Sequence, residues 1–183
     1  RIKGYDTAEA RDGVEALVQT IMSQEEPMVV VGIGPVTNLA RALRIQPKIA
    51  EKARFIGMQG SIYQGYGGSP QVVAEYNVKI NPKACRAVFA APWDVLITPL
   101  DTCGHISLSG QDFQRIRQCP TGAARMLMEN YTVWAEFHHW KPEDYQMKSS
   151  VLYDTVAINM AMSEQLLDIW PLGVVVTADG FTR

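Results

Sequence analysis

A run of β-branched residues, Met28-Val-Val-Val-Gly32, breaks at Gly32-Ile-Gly-Pro and gives way at once to Thr37-Asn-Leu-Ala-Arg-Ala-Leu43, whose apolar positions recur at helical spacing. A short continuous apolar strand, fully buried, followed by a glycine turn and a helix is half of a βαβ unit, and it commits the chain to parallel strands joined by helical crossovers. The remainder repeats the alternation. Residues 53–58 predict a second buried strand, entered from a helical turn that Pro47 opens; residues 93–100 predict a third, and residues 173–178 the last. Helices are expected around Val14, Leu17, Val18 and Ile21 with Thr7 as their cap. Others are expected from Asn81-Pro82 with Ala84, Val88 and Phe89 inward, over residues 108–117 and 122–140, and over residues 151–162 with Asp154 near the start. Residues 141–150 read as a polar loop. The fold class is therefore α/β, a mainly parallel, Rossmann-like open sheet flanked by helices.

No repeat or low-complexity segment divides the 183 residues, so residues 1–183 form one domain. Arg1 is not a methionine and Arg183 directly follows a strand and turn, so the expectation is a domain incomplete at both ends. A net charge of −2 without a basic run excludes nucleic acid and anionic membrane surfaces as partners and points to a small neutral molecule. Cys85, Cys103 and Cys119 are an odd number, far apart and without CxxC spacing, which fits reduced thiols and a cytoplasmic location better than a disulfide framework or a zinc site. No apolar run approaches the roughly 18 residues of a membrane-spanning helix.

Where the second strand ends, the eleven residues after Gly57 contain four glycines and two tyrosines and no charge. That loop then delivers Glu75 and Asn77, two residues apart, so in an extended segment both point to one face and Tyr76 to the other. A carboxylate and an amide on a common face can bind neighbouring hydroxyls of a sugar, or they can satisfy backbone groups of the loop. Asp101 at a strand end, Glu75 and Asp154 all fall where a parallel sheet gathers groups at one rim, and their oxygens suit a hard cation better than zinc. Asp154 at a helix start is equally favourable with the helix dipole alone. Gly32-Ile33-Gly34 is a poor dinucleotide fingerprint, because Thr37 or Asn38 stands where the third glycine belongs and the next strand ends at Met58 instead of an acid. His105, His138 and His139 have no chelating spacing. Met126, Leu127, Tyr131, Trp134 and Phe137 recur at helical spacing and read as core packing, although a ring at the end of such a helix could stack on a planar base.

Taken together, VVVGIGPVTNLARAL, FIGMQG with its glycine-rich loop, AEYNVKINPKAC, VLITPLDT and VLYDTVAINMA resemble, in order and at similar spacing, the inosine–uridine preferring nucleoside hydrolases. The resemblance covers nearly the whole chain and implies hydrolysis of the N-glycosidic bond of a ribonucleoside by a water that Ca²⁺ activates, with an oxocarbenium-like sugar in the transition state. By the same resemblance Met58, Glu75 and Asn77 contact the ribose, while Asp154 and the backbone carbonyl of Ile33 bind the metal. Tyr153 stands where the family often has a histidine that protonates the leaving base. The family's DxDxGxDD segment is missing, so this chain by itself is expected to be inactive, and a homo-oligomer or a complementary N-terminal fragment is an expected partner. No residue among Gly65, Tyr66, Gly67 and Gly68 replaces the asparagine that the family's loop carries. The resemblance leaves three rivals open: a non-catalytic binder of sugar or nucleoside, a hydrolase of another glycoside in carbohydrate metabolism, and a dinucleotide-binding enzyme.

Overall fold

The computed structural model describes residues 12–183. Thr7, the expected helix cap, lies outside them. The first helix, α1 (Gly13–Ser23), is instead capped by Asp12, whose carboxylate accepts from the backbone N–H groups of Val14 and Glu15. Strand β1 (Met28–Gly32) leads through the glycine turn into α2 (Thr37–Ile45), and the short α3 (Ile49–Lys52) delivers the chain to β2 (Ala53–Gly57).

After β2 the chain makes a single 3₁₀ turn at Tyr66–Gly68, then α4 (Tyr76–Ile80) and α5 (Pro82–Phe89). Asn81 caps α5 by accepting from Ala84 N–H, and Pro82 opens it, as the sequence predicts. Strand β3 is shorter than expected. It ends at Ile97 (Val95–Ile97), and residues 100–103 form α6 (Leu100–Cys103), because Pro99 cannot donate to a ladder and seeds a helical turn. Helices α7 (Gly110–Arg117), α8 (Gly122–Phe137), α9 (Pro142–Tyr145) and α10 (Tyr153–Met162) follow, so α9 interrupts the expected loop 141–150.

The sheet order is β1-β2-β3 and both pairings are parallel. Alternation along β2 sends Phe55 to one face and Ile56 to the other. Phe55 packs with Val36, Leu39, Ala84 and Val88 of the α2–α5 layer, and Ile56 with Leu100, Val156, Ala157 and Met160 of α6 and α10. Helices thus cover both faces. A third apolar cluster, Val14, Ile21, Ala42 and Ile49, seats α1 against α2 and α3.

Two further strand expectations change. β1 is not fully buried: β2 alone of the described strands pairs with it, and Val29 is exposed. Residues 173–178 do not join the sheet. Val175 and Arg183 exchange backbone hydrogen bonds, and Thr177 N–H donates to the Phe181 carbonyl, so this segment folds back on the end of the chain as a tight hairpin. Among the described residues no helix is long and apolar enough to cross a membrane.

Candidate active site

Strand register builds the rim. Gly32 is paired with Gly57, and Gly57 with Ile97, so the carboxyl ends of all three strands lie in one row. The residues that follow that row, Ile33, Met58 and Thr98, edge the crevice in which open α/β sheets hold ligands. The ladder continues one step past the strands, with Met58 N–H on the Gly32 carbonyl at 3.0 Å and Thr98 N–H on the Gly57 carbonyl at 2.8 Å. Behind Met58, the buried Gln59 donates from Nε2 to the Gly34 carbonyl at 2.9 Å and so fixes the Gly-Ile-Gly turn against β2. Gln59 Oε1 and Thr98 Oγ1 are buried and have no hydrogen-bond partner among the described residues.

Glu75 and Asn77 do not lie in an extended segment. Glu75 is the N-cap of α4, 2% exposed, and Asn77 sits in that helix's first turn. The Glu75 carboxylate accepts from Asn77 N–H at 2.8 Å on one oxygen, and from Gly60 N–H at 3.1 Å and Val78 N–H at 3.2 Å on the other. A carboxylate has about four acceptor positions, so one remains, on Oε1. Burial pushes the Glu75 carboxyl above its ordinary value; the three backbone donors oppose this and the charge of Asp154 adds to it. Asn77 donates from Nδ2 to the Met58 carbonyl at 3.0 Å and contacts the Met58 sulfur at 3.3 Å. That carbonyl needs a donor, which sets the amide's orientation and leaves Oδ1 without a donor from the described residues. Met58, Glu75 and Asn77 are therefore brought together as one buried knot, by capping geometry instead of strand alternation.

Asp101 is turned away from this knot. Its carboxylate accepts from the N–H groups of Ile62, Tyr63 and Gln64 at 2.8, 2.6 and 3.0 Å, so it organises the glycine–tyrosine loop and keeps one acceptor position, on Oδ2. The C-terminal hairpin fixes the start of the same loop: Thr182 Oγ1 accepts from Ser61 N–H and donates to the Ser61 carbonyl, both at 2.9 Å. Gly60, at φ 92°, is packed so closely on Thr182 that a Cβ there would lie 2.8 Å from Oγ1.

Tyr153 and Asp154 open α10 across the crevice. Burial raises the Tyr153 phenol, with Tyr66 and Cys103 adding to the effect, and partial withdrawal from water raises the Asp154 carboxyl. Tyr66, carried by the glycine–tyrosine loop, stands edge-on to Tyr153 with ring centroids 6.1 Å apart and planes at 80°. The Ile33 carbonyl and the Asp154 carboxylate accept no hydrogen bond from the described residues, and both are oxygen donors of the kind a hard cation takes. They fit calcium in chemistry but not in number, since the ion takes six to eight oxygens. Among the described residues no group of three or more histidine, cysteine or acidic side chains is placed to hold a metal. The expected gathering of Asp101, Glu75 and Asp154 at one rim thus fails as a ligand set: Asp101 and Glu75 each commit three acceptor positions to separate backbone N–H groups, and the three carboxylates are not grouped around one point.

The α8 series is not core. Met126, Leu127, Trp134 and Phe137 are exposed, and Ala135 is the buried residue of that helix. Trp134 stacks on Tyr131, lies tilted against His138 and meets Trp140, beyond the end of the helix, edge-on. Sequence reasoning passed over Gln59, Tyr66 and Thr182. Gln59 had a legible signal, a long polar side chain directly behind an apolar strand; Thr182 had none, since it acts across 121 residues of chain.

Comparison with known proteins was made on sequence and on structure. The chain is 26% identical over 149 residues to the inosine-uridine preferring nucleoside hydrolase of Crithidia fasciculata, covering 81% of this chain and 46% of that protein. It is 28% identical over 166 residues to the pyrimidine-specific ribonucleoside hydrolase of Enterobacter sp. (strain 638), covering 88% and 51%. Among solved structures, the purine-preferring ribonucleoside hydrolase of Gardnerella vaginalis superposes with a TM-score of 0.78 at 21% identity, over 96% of this chain and 56% of that one. The inosine-uridine preferring nucleoside hydrolase of Bacillus anthracis superposes with a TM-score of 0.75 at 22% identity, over 95% and 57%. The chain spans about half the length of the relatives it matches. The model of the inosine-uridine preferring nucleoside hydrolases matches residues 3–183, and the chain belongs to that family.

Proposed function

We propose that the complete protein hydrolyses the N-glycosidic bond of ribonucleosides, and that this chain supplies the ribose end of its site and one wall of the base end. The observation that carries this reading is the knot of Met58, Glu75 and Asn77 at the carboxyl edge of the sheet. Its remaining acceptors, Glu75 Oε1 and Asn77 Oδ1, are held rigidly by bonds to backbone and are suited to vicinal hydroxyls. The activities in the names of the family's other members support it.

In the reaction water adds at C1′ and gives up a proton, the bond from C1′ to the base nitrogen breaks with its electron pair going to the base, which takes up a proton, and the sugar passes through an oxocarbenium-like state. Acceptors on the hydroxyls fix the sugar's position relative to the departing base. Tyr153, its phenol raised by burial, stays protonated at neutral pH and donates a hydrogen bond to that base. The Ile33 carbonyl and Asp154 would supply two ligands of a calcium ion whose other oxygens come from beyond the described residues. Bound there, the ion would act as a Lewis acid beside the sugar.

The test is base release from inosine and uridine by the complete protein, with calorimetric titration of ribose and of Ca²⁺ alongside. Release of base with ribose bound in the same site is the expected result. Tight ribose binding with no base released from any ribonucleoside would make the protein a binding member of the family, the second reading that a tyrosine at position 153 favours. Asp154→Asn should weaken Ca²⁺ binding at least tenfold; unchanged affinity would reduce that carboxylate to a helix-end residue.

A further inference from the structure

We propose that Tyr66 determines base specificity: with Tyr153 it forms an aromatic corner that holds the planar base of the substrate, and its hydroxyl is the donor that reads an acceptor on the base edge. The inference rests on the ribonucleoside reading above and adds a residue to it from a loop that has none of the family's usual polar recognition.

Three features place Tyr66 there. First, the loop is shaped around it. The 3₁₀ turn Tyr66–Gly68 carries Gly67 and Gly68 at φ 65° and 75°, a sequence of left-handed residues that only glycines adopt without strain, and the turn closes with Gly65 N–H on the Ser69 carbonyl at 2.8 Å. Second, the side chain is tethered at its far end, because the N–H of Tyr76 donates to the Tyr66 hydroxyl at 3.1 Å. Tyr76 is the first residue of the helix that Glu75 caps, so the phenol is tied directly to the sugar-binding knot. Third, its ring meets Tyr153 edge to face, which gives two aromatic planes at a right angle.

The chemistry of the corner follows. A phenol has one proton to give and two lone pairs, and Tyr76 N–H occupies one lone pair. The O–H proton therefore stays available, and it selects bases that present a carbonyl or an unprotonated ring nitrogen. Tyr66 is 45% exposed, so in the absence of a ligand one side of its ring faces water, and covering it with a flat heterocycle removes apolar surface from solvent. A free sugar carries no planar base for the corner to hold. The structure thus predicts a separation between sugar affinity and base affinity that hinges on this one side chain.

The experiment uses the complete protein with two substitutions, Tyr66→Phe and Tyr66→Leu, and measures the affinity of inosine, uridine and free ribose by calorimetry, with base release followed in parallel. Tyr66→Leu keeps apolar bulk in the loop but removes the ring plane; it should lower nucleoside affinity about tenfold or more and leave ribose affinity within twofold. Tyr66→Phe keeps the plane and removes the donor, and should cost about two- to tenfold, unequally for inosine and uridine. If the wild type releases base and the nucleoside affinities of both variants stay within twofold of it, the inference is overturned while the hydrolase reading stands. If no base is released yet nucleosides bind more tightly than ribose and Tyr66→Leu abolishes that preference, the hydrolase reading fails and the corner stands. Equal loss of ribose and nucleoside affinity in both variants would make Tyr66 a packing residue of the loop, and a wild type that binds nucleosides no better than ribose overturns both readings.

Discussion

Two regions of this molecule reverse the usual distribution of residue types. Beneath the rim, a glutamate, a glutamine and an asparagine are almost entirely withdrawn from water, whereas along α8 a methionine, a leucine and two aromatic rings face it. The rim tolerates its burial because Glu75 and Asn77 spend their hydrogen-bonding capacity on backbone groups that would otherwise be orphaned. The α8 surface has no such balance: an apolar stripe in water costs free energy and stabilises nothing by itself. Most of the buried polarity here is matched inside the described residues, Gln59 Oε1 and Thr98 Oγ1 excepted, and the exposed apolarity is not.

The largest expected effect lies in the rim. Glu75→Ala leaves the N–H groups of Gly60, Asn77 and Val78 without their acceptor, at about 1–3 kcal/mol each, so a loss of at least about 3 kcal/mol is expected by urea denaturation. That is a large share of the 5–15 kcal/mol that holds a typical domain together. Glu75→Gln tests the electrostatics separately. The folded carboxyl is raised above its ordinary 4.5, so its contribution to stability is present below that value and is lost as pH climbs through the raised one. The wild type should lose stability over that window and the glutamine variant should not; parallel profiles would mean that Glu75 titrates normally.

Asp101 comes next, because its three backbone partners are in a more solvated loop. Asp101→Asn retains one acceptor oxygen and turns an amide toward the remaining N–H, so a loss of about 1–2 kcal/mol is expected. The specific readout is faster amide exchange and proteolysis confined to residues 62–68, with Tyr66 released from Tyr153. Loosening spread evenly over the sheet would instead make Asp101 a general stabiliser.

How far the sequence reached follows the same division. Period and punctuation predicted β1, α2, β2, α5 and α10, since strand–glycine–helix alternation and an Asn-Pro cap act locally. The identities of Met58, Glu75 and Asn77 were legible, but not their geometry: alternation assumes a strand, and Glu75 caps a helix. The three carboxylates are expected together because a strand end, a loop and a helix start fall at the same edge, and what separates them is that Asp101 and Glu75 each meet a different set of backbone N–H groups and Asp154 meets none among the described residues, a tertiary fact. The α8 series failed for another reason. Helical spacing says that a face is apolar, and it does not say whether anything covers that face.

Substitutions on α8 test that last point. Val133→Ser and Phe137→Ser should change the stability of a chain of these residues by no more than about 0.5 kcal/mol, because both side chains are already in water at 67% and 77% exposure. A cost of about 2 kcal/mol or more for the same changes in the complete protein would mean that another part of it lies over α8, and the contrast between the two regions would disappear.

The smallest perturbation is chemical labelling, which changes no residue and reads both regions in one sample. Cys85 and Cys103 are fully buried in the two sheet-facing clusters, and burial pushes both thiols up to about 12. Cys119 lies between α7 and α8, partly exposed, with a hydrogen bond to the Thr121 hydroxyl at 3.3 Å that holds its thiol below the ordinary value. Thiolate is the reactive form, so an alkylating reagent near neutral pH should modify one thiol per folded chain, at Cys119, and reach the others only in denaturant. Thr121→Val should slow that reaction by removing the larger of the two hydrogen bonds that lower the thiol, the other coming from the Thr121 backbone. Labelling of Cys103 in the folded chain would mean that the layer formed by α6 and α10 opens to solvent, and that the Glu75 knot above it is less sealed than its hydrogen bonds require.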